Sequence, residues 1–166
     1  MQNTYDYITD EWIASNSIDH LLDIMHAYAN AFILTKDQYA HWIAYQQEHK
    51  ICQVDPSTGF SRYGAIGGGM EVAFEVSDGI IKPYAYCHTC KDKTYLMTAD
   101  ADVKHYEQYT KYANKFCNTE LVRFAQLLYD IKPEQFTVKF VGTGLGNLID
   151  VEIDGKNYSI TDIESW

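Results

Sequence analysis

The feature that most constrains this fold is a two-residue alternation of apolar and polar side chains near the middle of the chain. Apolar residues occupy the even positions from Met70 to Val76, while Glu71, Ala73 and Glu75 occupy the odd positions. This period predicts a β-strand with one apolar face and one partly acidic face. Asp78-Gly79 follows and is typical of a two-residue hairpin turn, so Ile80–Cys87 is predicted to return antiparallel to the first strand.

The segments on either side of this hairpin have helical periodicity. Ser17 is predicted to cap an amphipathic helix over residues 18–32, and Thr35 with Gln38 forms a capping box for a helix that extends to about His49. Residues 100–132 predict a long helix that is continuous or broken at Cys117-Asn118-Thr119, where Thr119 would cap its second part. Residues 136–141 predict a strand, and Asp154-Gly155 predicts a second hairpin turn between residues 148–153 and 158–160.

The order of these elements favours the α+β class, because helices and hairpins alternate without regular βαβ units. We expect one compact domain over residues 1–166. It would comprise N-terminal helices (1–50), a central antiparallel β-hairpin region (60–98), a helical region (100–132) and a C-terminal antiparallel β-hairpin (135–166).

Charge and tyrosine content narrow the possible partners. The 166 residues carry a formal net charge of −10 and include 14 tyrosines. Direct binding to a nucleic-acid backbone is not expected, since that contact needs an excess of Lys and Arg.

No apolar run approaches the length of a membrane span, and Met1 to Asp10 lack the features of a signal peptide. We therefore expect a soluble cytoplasmic protein, in a bacterial or host cell.

Cys87-His88-Thr89-Cys90 is the motif most typical of a metal site. Two thiolates in a tight turn between strands resemble a zinc knuckle, but a structural site needs four donors and the chain has no second Cys-x-x-Cys. Cys87 and Cys90 are thus candidate zinc ligands, completed by two of the side chains Cys52, Cys117, His88 and His105. Ordinary reduced cysteines in a hairpin are the alternative, whereas a redox pair would require a helix after the motif.

The glycine-rich segments 64–69 and 142–146 do not predict a nucleotide site. Both lead into strands, and neither has the Walker or dinucleotide spacing, so turns with positive φ explain them more simply. The chain also has no recognisable set of nucleophile, base and orienting residue. We therefore expect no enzymatic activity. The alternative is an enzyme with a non-local site, in which Cys52 or Cys117 acts with a histidine.

The C-terminal hairpin carries a row of carboxylates. Ile149, Val151 and Ile153 are predicted to face the core, which places Asp150, Glu152 and Asp154 on the opposite face, about 6.7 Å apart along the strand. Glu71 and Glu75, with Asp78 in the adjoining turn, form a sparser set of the same kind. A solvated polar sheet face is one interpretation. The other is a surface that imitates nucleic acid and binds a basic groove.

These observations lead to a functional hypothesis with two alternatives. The chain would be a small acidic, Tyr-rich binding protein that modulates or inhibits a protein partner with a basic, nucleic-acid-binding surface. In size, charge and lack of catalytic motifs it resembles phage-encoded (viral) inhibitors of bacterial defence nucleases, among them anti-CRISPR proteins, although no residue motif carries this resemblance. The alternatives are a protein-interaction domain with a zinc knuckle at Cys87 and Cys90, and the non-local Cys/His enzyme.

Overall fold

The computed structural model describes residues 17–64, 67–97, 104–112 and 114–165, and these residues form an α+β fold, as predicted. The helices in this part of the chain are α1 (Ile18–Tyr28), α2 (Lys36–Glu48), α3 (Tyr106–Tyr112) and α4 (Asn118–Ile131). The strands are β1 (Met70–Ser77), β2 (Ile80–Cys87), β3 (Lys93–Tyr95), β4 (Gln135–Gly142), β5 (Asn147–Ile153) and β6 (Lys156–Ser159).

The N-caps of α1 and α2 are the residues predicted from the sequence. Ser17 Oγ accepts a hydrogen bond from His20 N, and Thr35 and Gln38 form the reciprocal capping box of α2. Helix α1 ends at Tyr28, however, four residues before the predicted end. The apolar spacing continued to Phe32 because Phe32 enters the core from the connection after α1, not because it is helical.

The helical region predicted over residues 100–132 is broken, which is one of the two forms predicted for it. Helix α3 ends at Tyr112 and α4 begins at Asn118. The predicted cap at Thr119 is wrong, since Cys117 is the N-cap and its backbone N donates to Glu120 Oε2 at 2.9 Å. Residues 1–16 and 100–103, on which part of the helical predictions falls, lie outside the described residues.

The strands form one antiparallel sheet in the order β3-β2-β1-β4-β5-β6. Both predicted hairpins are confirmed. Asp78 and Gly79 have φ values of 51° and 72°, and Asp154 and Gly155 have 51° and 76°, which is the left-handed pair that a type I′ turn requires. In the register Ser77 pairs with Gln135 and Thr137 with Glu152, so the two hairpin turns lie at the same end of the sheet.

The helices cover the face of the sheet formed by the even positions of β1. Phe32 is 1% exposed and lies at the centre of an aromatic cluster, its ring centroid 5.5 Å from that of Phe74 and 5.7 Å from that of Phe124. Six of the seven phenylalanines of the chain belong to this cluster: Phe32, Phe74, Phe116, Phe124, Phe136 and Phe140. Among the described helices, none has the length and apolar composition needed to cross a membrane.

Candidate metal centre

Four metal-ligating side chains converge beside the end of α2. The donor atoms of His49, Cys52, Cys87 and Cys90 all lie within 4.8 Å of one another. Cys87 is buried, His49 and Cys52 are half-buried, and Cys90 is exposed, so the cluster lies at the edge of the core with one side toward the surface. This arrangement is able to bind a metal ion.

The end of α2 supplies the first two donors. His49 is the C-cap residue of this helix, and its backbone N donates to Tyr45 O at 3.0 Å. The chain then tightens into a 3-10 turn, Lys50–Gln53, in which Cys52 N donates to His49 O at 3.0 Å. Because residues three apart on such a turn lie on the same side, His49 and Cys52 face the same space.

The turn after β2 supplies the other two donors. Cys87 is the last residue of β2, and its sulfur accepts hydrogen bonds from the backbone N–H groups of Thr89 and Cys90. Lys91 N donates to Cys87 O at 2.9 Å, and Lys91 adopts a positive φ of 64° that closes the turn. Backbone N–H groups aimed at a cysteine sulfur stabilise its thiolate form, which is the form that binds metals.

Contacts at both ring nitrogens and on one ring face hold the imidazole of His49 in position. Its Nδ1 atom lies 3.4 Å from Cys90 Sγ and 3.8 Å from Cys52 Sγ. Its Nε2 atom lies 3.6 Å from Asp92 Oδ2, and the ring of Tyr45 stacks on the imidazole with centroids 4.1 Å apart. A carboxylate near the distal nitrogen commonly accompanies a metal-binding histidine, because it favours the tautomer that leaves the other nitrogen free to bind the metal.

The thiol pKa values reflect the crowding of the three sulfurs. Burial, hydrogen bonding to Cys90 and the charges of Cys87 and Cys90 raise the pKa of Cys52 to about 11. Burial acts in the same direction on Cys87, but the N–H groups of Cys90 and Thr89 outweigh it and lower the pKa of that thiol. A cation among these sulfurs would offset their mutual repulsion, since thiolate ligands bind metals after losing their protons.

The donor set and spacing fit a tetrahedral ion that prefers sulfur and nitrogen. With Zn–S near 2.3 Å and Zn–N near 2.0 Å, the donors of a tetrahedral zinc site are about 3.5–3.8 Å apart. The two Nδ1–Sγ distances, 3.4 and 3.8 Å, lie close to these values. Gln53 Nε2 donates to Cys87 Sγ at 3.7 Å and adds a further polar contact to the thiolate.

The structure therefore joins the predicted pair Cys87 and Cys90 to Cys52, one of the four side chains proposed to complete the site. The other three lie elsewhere: Cys117 caps α4, His88 contacts Glu71, and His105 precedes α3. The fourth donor, His49, was not predicted. Its signal is present in the sequence, because His49-x-x-Cys52 has the same spacing as Cys87-x-x-Cys90.

Four of the six predicted partner-binding carboxylates lie on the other face of the sheet, here called the polar face, whereas Asp78 and Asp154 lie in the hairpin turns. The register places Glu71, Glu75, Asp150 and Glu152 on it, and Ile149, Val151 and Ile153 face the core as expected. Glu71 is only 6% exposed and lies 3.2 Å from His88 Nε2. Burial raises the pKa of Glu71, although His88 and Lys139 oppose this shift.

Lysines lie among these carboxylates on the polar face. Lys93 Nζ lies 2.5 Å from Glu75 Oε1 and 4.3 Å from the centre of the Tyr84 ring, and Lys139 pairs with Glu152. The polar face is thus a network of ion pairs and tyrosines, and not a continuous row of carboxylates.

The carboxylates concentrate at the end of the sheet that holds both hairpin turns. A cleft of about 350 Å³ lies there, and its lining includes Glu75, Glu152 and Asp154. Asp78 lies in the β1–β2 turn at the same end. We call these four residues the acidic end of the sheet; Glu71 and Asp150 lie farther along the strands.

Comparisons with known proteins do not assign the chain to a family. No protein-family model matches it, and no curated protein or solved structure matches it significantly. Its function must therefore be inferred from its own residues.

Proposed function

We propose that this chain is a non-enzymatic binding domain built around a structural Zn²⁺ ion held by His49, Cys52, Cys87 and Cys90. The observation that carries the proposal is the convergence of four donor atoms within 4.8 Å, drawn from two separate segments. Four protein donors leave zinc no open position for water or substrate, which is the arrangement of structural rather than catalytic sites.

The choice of zinc follows from the chemistry of the donors. Three thiolates and one imidazole are soft or borderline ligands, whereas Mg²⁺ and Ca²⁺ prefer carboxylate and carbonyl oxygens. Zn²⁺ also accepts tetrahedral geometry without an electronic penalty. The ion would join the end of α2 to the β2–β3 turn.

Metal analysis of the purified chain tests this proposal. We expect about one Zn²⁺ per chain after dialysis, and the intense visible absorption of a tetrahedral thiolate complex after exchange for Co²⁺. The variant His49→Ala should lose most of the bound metal, whereas His41→Ala, on the same helix and outside the cluster, should retain it. Less than one-tenth of an equivalent of metal in the unmodified chain, at saturating zinc, would contradict the proposal.

We further propose that the acidic end of the sheet and the adjoining Asp150 bind a protein partner with a basic, nucleic-acid-binding surface. What favours this candidate is the cleft beside Glu75, Glu152 and Asp154, which suits an inserted Lys or Arg side chain. The net charge of −10 would accelerate association with a basic partner. A phage-type inhibitor of a defence nuclease, such as an anti-CRISPR protein, would act in this way by occupying the nucleic-acid groove.

Neutralising three of these carboxylates tests the proposed interaction with a basic partner. The triple variant Asp150→Asn, Glu152→Gln, Asp154→Asn should bind a basic nuclease at least tenfold more weakly and with a shallower salt dependence, since these charges would contact the partner. Asn is chosen at position 154 because it tolerates the positive φ of 51°. Binding would be measured across a salt series on a panel of guide-RNA and other basic nucleases.

The matched control removes two charges from α1, where Asp19 and Asp23 are exposed. Asp19→Asn with Asp23→Asn should change the affinity by less than about threefold, because those residues lie outside the acidic end. Failure of the unmodified chain to bind any member of the panel, or an affinity that does not respond to salt, would refute this candidate without affecting the zinc proposal.

A further inference from the structure

A second cavity, of about 260 Å³, lies between α2, the end of α3 and the two glycine-rich segments. All the described residues that line it are uncharged, in a chain of which 22% of the residues are charged. Its wall includes three aromatic side chains, among them Trp42 and Tyr109, and four side-chain amides, which are Gln46, Gln53, Asn114 and Asn147. We call this cavity the amide pocket.

The glycine-rich segments meet at this pocket although they are far apart in the sequence. Gly68, Gly69 and Gly142 all line it, so part of its wall is bare backbone. A side chain at Gly69 would overlap Gln53 Oε1 and the ring of Tyr63, and Gly68 has a positive φ of 106°. Gly69 therefore allows Gln53 and Tyr63 to pack directly against the backbone, and Gly68 adopts a conformation in which a larger residue would be strained.

Two of the amides are held in place by other side chains. Asn114 is 6% exposed, and its Nδ2 donates to Tyr109 Oη at 2.6 Å. Gln53 Nε2 donates to Cys87 Sγ at 3.7 Å, which turns the amide oxygen toward Gly69. Amides fixed in this way present donors and acceptors in a defined direction, and such preorganisation favours binding.

From this lining we infer that the amide pocket binds a neutral heteroaromatic ring, namely the base of a nucleoside that carries no phosphate. A side-chain amide is planar and offers a donor beside an acceptor, which matches the edge of a base, as in the pairing of Asn or Gln with adenine. Trp and Tyr rings contact the faces of bases favourably. The absence of Lys and Arg from the described lining disfavours a phosphate group.

The amide pocket is also small enough to exclude ligands much larger than a single base. Ligand sites for drug-sized molecules usually measure about 300–1,000 Å³, so a cavity of about 260 Å³ suits a single base with its sugar directed outward. This inference is independent of the metal proposal, because Gln53 would be positioned by Cys87 whether or not a metal is bound.

Titration of the purified chain with adenosine, guanosine, cytidine and uridine tests this inference. We expect at least one nucleoside to shift the side-chain amide resonances of Gln46 and Asn147 in NMR spectra, with a dissociation constant below about 1 mM. The 5′-monophosphate of that nucleoside should bind more weakly. Gln46→Ala should weaken nucleoside binding about fivefold, the effect of one lost hydrogen bond, while Gln47→Ala, exposed on the same helix, should leave it unchanged.

Several results would overturn the inference. They are the absence of shifts with all four nucleosides at about 5 mM, monophosphate binding as tight as nucleoside binding, and an equal response to glucose. An unchanged affinity in Gln46→Ala would overturn it as well, provided that the variant is folded by circular dichroism. The zinc content of each sample would be measured in parallel, so that a failed metal proposal is recognised separately.

Discussion

Replacing Cys90 with serine should abolish high-affinity zinc binding and lower the free energy of unfolding by about 4 kcal/mol at saturating zinc. This is the stabilisation that a ligand confers at 1,000 times its dissociation constant when it binds only the folded state. Cys90 is the best position for this test because its side chain is exposed, so serine removes a metal donor without disturbing the core. Urea unfolding with and without added Zn²⁺ measures the effect.

Two comparisons make the Cys90→Ser experiment specific. A chelator should destabilise the unmodified chain by a similar amount and leave Cys90→Ser unchanged, because that variant has no bound metal to lose. Cys117→Ser makes the same atomic substitution at the N-cap of α4, where serine is a better cap than cysteine. It should retain zinc and full stability. If Cys90→Ser unfolds at the same urea concentration as the unmodified chain, the ion does not support the fold.

Truncation of Phe32 to alanine should cost about 3–5 kcal/mol of unfolding free energy, the range for removing a buried phenylalanine. Phe32 is 1% exposed, and its ring contacts rings from β1, β4 and α4. Since these elements belong to different parts of the chain, the cavity left by the substitution would loosen the packing of the helices on the sheet. Chemical unfolding followed by tyrosine fluorescence measures the loss.

Phe60→Ala is the matched control for this truncation. It removes the same atoms from a side chain that is 77% exposed, so its effect should remain within about 0.5 kcal/mol. If Phe32→Ala cost less than 1 kcal/mol, or no more than Phe60→Ala, the aromatic cluster would not be the centre of the core.

The starts of α1 and α2 and both hairpins were predictable because their signals are local. The capping box at Thr35 and the turns at Asp78-Gly79 and Asp154-Gly155 are decided within a few residues by hydrogen bonds and by the residues that tolerate positive φ. The end of α1 was less predictable. A buried side chain such as Phe32 maintains a helical spacing of apolar residues even after the helix has ended, so periodicity alone overestimates the length.

The candidate metal site was only partly predictable, for a different reason. Cys87 and Cys90 form a recognisable pair because both lie in one turn. Their partners come from the end of α2, and nothing in the local sequence indicates which segment packs against that turn. Among the candidates named from the sequence, only Cys52 joins the pair, and the remaining donor of the cluster is His49, three residues before Cys52.

The sequence by itself determined the α+β class, the sheet hairpins, the apolar face of each central strand and the overall negative charge. Each of these depends on residues close together in the chain or on composition. Only the tertiary structure decided which donors complete the candidate metal site, that lysines lie among the carboxylates of the polar face, and that two distant glycine segments border one pocket. These features depend on packing between remote segments, and that packing follows from the burial of the whole core rather than from any single motif.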